Sequence, residues 1–99
     1  MNIKFEYLYR DAGNYKFFNC EIFSNIDNLP IHTIDSAIKS TLIDGSWFYA
    51  NKWGLKDLHE FKYDEDLDHN WHEYESVEAT EDLPTKGDIV DFLKNIGAI

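Results

Sequence analysis

Arginine and cysteine are scarce in this chain, and each shortage removes a class of function. Arg10 is the only arginine and Cys20 the only cysteine, and there are two prolines in 99 residues. A single cysteine rules out a disulfide framework, a CxxC redox pair and a thiolate metal knuckle. With one arginine, phosphate-clamping chemistry is poorly supplied. Basic residues as a whole are few: nine Lys and Arg face nineteen Asp and Glu, for a formal net charge of −10. Such a field repels nucleic acid and anionic membrane and speeds encounter with cations or basic proteins, so direct nucleic-acid binding is not expected.

Long apolar runs are also missing. Met1 leads into the alternating NIKFEYLYR, which has neither the apolar core of a signal peptide nor the length of a membrane span. The expected location is cytoplasmic. No GxSxG elbow, Gly-rich phosphate loop or Cys-His signature is present, and no pattern marks one carboxylate as buried for acid–base work. A non-catalytic protein is expected, although the many carboxylates keep a small metal-dependent hydrolase in view.

What is abundant is aromatic and acidic. Sixteen Phe, Trp and Tyr residues and 43% hydrophobic content argue for a packed globule, and the length fits one domain over residues 1–99. Ile3, Phe5, Tyr7 and Tyr9 alternate with Lys4, Glu6, Leu8 and Arg10, the period-two pattern of a half-buried strand. Asp11-Ala12-Gly13-Asn14 supplies turn residues before a second aromatic run, Tyr15 to Phe23, which reads as the return strand of a hairpin. Because apolar side chains occupy both faces of that run, it is expected to be an inner strand, with Cys20 a small buried hydrophobe.

Ile31, Ile34, Ile38 and Leu42 fall at helical spacing, with Asn28 as candidate N-cap, Pro30 in the first turn and Gly45 as the stop. Ser46 to Trp53 is β-prone, with Trp47, Tyr49 and Trp53 as an aromatic cluster of core type. Leu58 to Asp64 and Asn70 to Glu78 read as a second hairpin, with a short helix over Leu55 to Lys62 as the alternative. Thr85-Lys86-Gly87-Asp88 resembles a capping box ahead of Ile89, Phe92, Leu93 and Ile96, and Gly97 ends that helix. The order is β-β-α-β-β-β-α, an α+β fold with an antiparallel sheet of about five strands and two amphipathic helices.

The densest stretch is Tyr63 to Thr85. It holds nine of the nineteen acidic residues and no Lys or Arg. Counted from Asp64, the residues Asp66, Asp68, Asn70, His72 and Glu75 fall at the ligand positions of an EF-hand loop, but His69 stands where the sharp turn needs glycine. His69 and His72 with Asp66, Asp68 and Glu73 suggest a transition-metal site instead. Calcium or a transition metal is therefore the cofactor of the alternative reading, with Asp64, Asp66, Asp68, His69, His72 and Glu75 as ligands. A solvated acidic turn explains the same spacings with fewer demands.

The reading preferred from sequence is an acidic surface that binds a basic protein partner, of the inhibitor, immunity or anti-defence type. Carboxylates two apart on a strand lie about 7 Å apart, close to the phosphate spacing along a DNA strand, so nucleic-acid mimicry is one form of it. Asp64, Asp66, Asp68, Glu73, Glu75 and Glu78 are the charge contacts, with Trp71 and Tyr74 as anchors. Self-association into a homodimer is a further expectation, since one small domain has limited room to bury sixteen rings.

At YLYRDAGNYK (Tyr7 to Lys16), FYANKWGL (Phe48 to Leu55) and DHNWHEYESVE (Asp68 to Glu78) the chain resembles small acidic bacterial and phage-type proteins of similar length. The resemblance spans most of the chain and implies a self-contained small protein. It implies no activity, cofactor or catalytic residue.

Overall fold

The N-terminal hairpin forms as its alternation and turn residues dictate. In the computed structural model, which describes residues 1–58 and 71–99, β1 (Asn2–Arg10) pairs antiparallel with β2 (Lys16–Phe23). Asn14 N–H donates to Asp11 O at 3.0 Å, and Asp11 N–H donates to Tyr15 O at 3.0 Å. Asn14 takes the left-handed conformation (φ 64°) that this three-residue loop needs, a role Asn fills at lower cost than most side chains.

Helix α1 (Ile31–Lys39) buries Ile34 and Ile38 at the predicted spacing. Its N-cap is Pro30 rather than Asn28, which lies upstream at φ 53° in a turn clamped by the Asn25 side chain on both backbone groups of Leu29. The helix also ends earlier than Gly45 suggested. Asp44 (φ 51°) and Gly45 (φ 74°) instead form a primed turn, with Ser46 N–H donating to Ile43 O at 3.0 Å and Ile43 and Trp47 exchanging backbone bonds. That turn type suits a hairpin, because its twist matches that of the flanking extended segments.

Past this turn, the strand expected over Ser46 to Trp53 shrinks to β3 (Trp47–Phe48). The chain then folds back in tight turns, with Lys52 and Trp53 N–H donating to Tyr49 O and Gly54 at φ 73°. β4 (His72–Thr80) lies between β1 and β3, so the described sheet is four-stranded and antiparallel in the order β2-β1-β4-β3. The further strand expected over Leu58 to Asp64 lies, except for Leu58, outside the described residues.

Helix α2 (Ile89–Asn95) is capped by Asp88, whose carboxylate accepts from Val90 N–H at 3.0 Å. Thr85 is not the cap: its hydroxyl accepts from Ile22 N–H and donates to Glu21. At the other end Ala98 N–H reaches Leu93 O and Gly97 N–H reaches Lys94 O, with Gly97 at φ 79°, so the predicted glycine stop is made by a six-to-one closing bond.

Both helices cover one sheet face. Ile3, Phe5 and Tyr7 of β1 and Val77 of β4 meet Ile34, Ile38, Ile89, Phe92 and Leu93 in a single core. The Phe5 ring sits at its centre, with ring centroids of Tyr74 and Phe92 at 5.4 Å, Tyr7 at 5.7 Å and Phe48 at 6.0 Å. The result is an α+β domain.

β2 corrects the sequence reading most. It is an edge strand, not an inner one, and Phe17 and Phe18 are 50% and 65% exposed. Cys20 is exposed rather than buried. Alternating apolar residues on both faces thus signalled an uncovered edge, a case that period-two patterning does not separate from a doubly covered strand.

Candidate functional site: the exposed sheet face

The face of the sheet turned away from the helices gathers carboxylates because β4 carries a bulge. Glu6 pairs with Ser76, whereas the next residue, Tyr7, pairs with Tyr74, which leaves Glu75 as an extra residue in β4. In such a bulge the inserted residue and its neighbour lean to the same side, and the alternation of the strand resets. Glu73, Glu75 and Glu78 therefore share the outer face with Glu6, while Tyr74 and Val77 point to the core. Without the bulge, strict alternation would put Glu75 and Glu78 on opposite faces.

Two cations are set into this face. Arg10 Nε donates to Glu73 Oε2 at 2.8 Å and Nη2 to Oε1 at 3.3 Å, a two-pronged pair, while Nη1 reaches Asn14 Oδ1 at 2.8 Å. Lys4 Nζ stands 3.1 Å from Glu6 and 3.8 Å from Glu78. Carboxylates beside it hold the Lys4 ammonium above the ordinary lysine range, the hydrogen bond to Glu6 contributing most. Ser76 Oγ donates to Glu6 Oε2 at 3.1 Å. Glu75 is exposed, with no ion pair among the described residues, and lines a shallow groove with Lys4, Glu6, Phe18, Asn19 and Cys20. The face is thus acidic, ordered by two internal cations, and bordered by an exposed aromatic ring.

The other residues singled out from sequence are distributed differently. Asp64, Asp66, Asp68 and His69 lie outside the described residues. Trp71 packs against Trp47, ring centroids 5.9 Å apart, beside a small cleft also lined by Tyr49 and Asp44. Of the expected aromatic cluster, Trp53 goes to the core and stacks on Phe48 at 4.4 Å. Tyr74 is turned inward, and its hydroxyl donates to Asp35 Oδ1 at 2.6 Å. Burial, then the hydrogen bond to Asp35, pushes the Tyr74 phenol well above the usual tyrosine range. Burial alone would raise the Asp35 carboxyl, but the bonds from Tyr74 and Lys39 outweigh it and hold the group below the usual carboxylate range.

His72 is a core residue, 1% exposed, among the rings of Tyr7, Tyr9 and Phe48. Its Nε2 accepts from Leu58 N–H at 3.0 Å, which requires that nitrogen to be unprotonated. Asp57 Oδ1 lies 3.4 Å from the same nitrogen. His72 and Glu75 lie on opposite faces of the sheet. Among the described residues no group of three His, Cys, Asp or Glu side chains is gathered for a metal ion. No helix among them is long and apolar enough to cross a membrane.

The sequence signal missed for this face was the bulge. Glu6 and Lys4 belong to it as much as the residues of β4, but nothing in the spacing of β1 pairs them with Glu78 and Ser76. Comparison with protein-family models, with curated proteins and with solved structures gave no match to this chain.

Proposed function

We propose that the protein is a non-catalytic acidic binding module whose exposed sheet face occupies a basic surface of a partner protein and blocks it. The supporting observation is the bulge at Glu75, which collects Glu73, Glu75 and Glu78 with Glu6 on one face. Carboxylates held on a twisted sheet at strand spacings of roughly 7 Å offer a basic groove a substitute for a phosphate chain. An inhibitor, immunity or anti-defence role is the most concrete form of this reading. Long-range attraction from a chain of net charge −10 speeds encounter, and a desolvated ring supplies affinity. Phe18, at the border of the face, is the described aromatic best placed to do so. Tyr74, committed to Asp35, is not.

Arg10 and Lys4 serve the same end. Each fixes a glutamate rotamer before a partner arrives, so less side-chain entropy is lost on docking. The test is Glu75→Lys with Glu78→Lys, two exposed positions outside the core. Capture of a basic protein from host lysate by the parent chain and its loss in the variant is the expected result. Equal capture by both would end the proposal.

A further inference from the structure

The backbone of β2 is half closed and half open, and the boundary is sharp. Odd-numbered residues of β2 turn their backbone groups toward β1, as the Asp11–Tyr15 bond at the turn shows, so even-numbered residues turn theirs outward. At Ile22 the outward groups are taken: Thr85 Oγ1 accepts from its N–H, and the N–H groups of Thr85 and Lys86 donate to its carbonyl at 2.9 and 3.0 Å. Ser24 is closed in the same way by Gly87 and Ile89. At Lys16, Phe18 and Cys20 no described residue takes the outward N–H or C=O. Such a run, flanked by Tyr15 at 72% exposure and by Phe17 and Phe18, is a template for another strand.

We propose that a second copy of this chain covers that run, β2 against β2, antiparallel about a two-fold axis at Phe18. Only this register keeps every outward residue inside the open run: Phe18 faces Phe18, and Lys16 faces Cys20 twice. At two bonds per facing pair this closes about six backbone hydrogen bonds. A register centred on Cys20 would set Phe18 against Ile22, whose groups Thr85 and Lys86 already hold.

Charge selects the same occupant. In a chain with nineteen acidic residues, Tyr15 to Cys20 contains none and carries Lys16. Repulsion between two copies is therefore low along this run. Across the sheet, Ser76, Glu6 and Cys20 form one row, and the two-fold places Lys16 of the second copy next in it, beside the groove lined by Glu6 and Glu75. A lysine thus meets the acidic border of the other copy on each side of the axis, and Phe18 meets its own mate.

The assembly closes at two. At the other end of the sheet β3 is two residues long and Ile43 exchanges backbone bonds with Trp47 along it, and a two-fold pairing of β2 with β2 uses the open run of both copies at once. The two four-stranded sheets become one of eight strands with both acidic faces on the same side. This inference does not rest on the binding role above, but both use Phe18 and the border of the groove, so a second copy and a partner protein exclude each other there.

Sedimentation velocity over a micromolar to millimolar dilution series tests it, with Phe18→Lys and Lys16→Glu as variants. Both positions are exposed, and unchanged circular dichroism and thermal midpoint at low concentration confirm that each variant folds. The parent should pass from 11.7 kDa to twice that mass as concentration rises, and each variant should dimerise at least about tenfold more weakly. A parent that stays at 11.7 kDa throughout, a series growing beyond the dimer, or variants that associate as the parent does would each overturn the proposal.

Discussion

Removing one oxygen atom from Tyr74 tests how β4 is tied to α1. The Tyr74 hydroxyl donates to Asp35 Oδ1 at 2.6 Å, and Asp35 also pairs with Lys39 one turn along the helix at 3.0 Å. Tyr74→Phe keeps the ring against Phe5 and deletes only the donor. A hydrogen bond to a charged group contributes about 1.5–3 kcal/mol when well buried. The Asp35 side chain is 31% exposed, so water replaces part of the lost bond and about 1–2 kcal/mol is the expected cost at neutral pH. At roughly 4–8 °C per kcal/mol for a domain of this size, the midpoint falls by several degrees.

The cost should depend on pH in a defined direction. Asp35 is held below its ordinary range in the folded state, so its contribution is full above the unfolded carboxyl pKa of about 3.9 and fades as pH falls through the lower folded value. The gap between parent and Tyr74→Phe in urea unfolding should therefore narrow in strong acid. Asp35→Asn should remove most of the difference between Tyr and Phe at position 74, in a double-mutant cycle. A gap below about 0.3 kcal/mol at pH 7, or one that widens in acid, would refute the assignment of Tyr74 to this structural bond.

Two further substitutions probe the ends of the fold. Asp88→Ala removes a carboxylate that caps α2 and accepts from Ile26 N–H and Ser24 Oγ, and the expected loss is about 1–2 kcal/mol by denaturant unfolding. Burial would raise Asp88, but these bonds hold it below the usual range, so this loss too should shrink as pH falls below about 4. His72→Ala empties a site among three rings and leaves Leu58 N–H without its acceptor. A cost of about 3 kcal/mol is expected by the same assay, and a change under 1 kcal/mol would show that His72 is not a core residue.

The parts of the fold that sequence revealed are those where one local rule dominates. The Asp11 to Asn14 turn, the Ile34 and Ile38 face and the Gly97 stop each rest on residues within one or two turns of chain. The parts it concealed depend on partners far along the chain. Cys20 and Phe18 looked buried because nothing local tells an edge strand from a central one. Asp44-Gly45 was read as a helix stop although Asp-Gly is a strong hairpin signal, because Ile38 and Leu42 extended the helical period toward it. His72 looked like a surface ligand because it stands among acids, and only the bulge at Glu75 explains how His72, Tyr74 and Val77 all face inward. The acidic stretch was visible, but the contribution of Glu6 and Lys4 was not, since pairing of β1 with β4 spans most of the chain.

The central claim, that the bulged acidic face is the working surface, is tested most directly by capture from host lysate at two ionic strengths with the parent chain and with Glu75→Lys/Glu78→Lys. The account predicts a basic protein retained by the parent at low salt, weakened at higher salt as exposed charges are screened over about 10 Å, and absent from the variant. A partner held equally by parent and variant at both ionic strengths would contradict it.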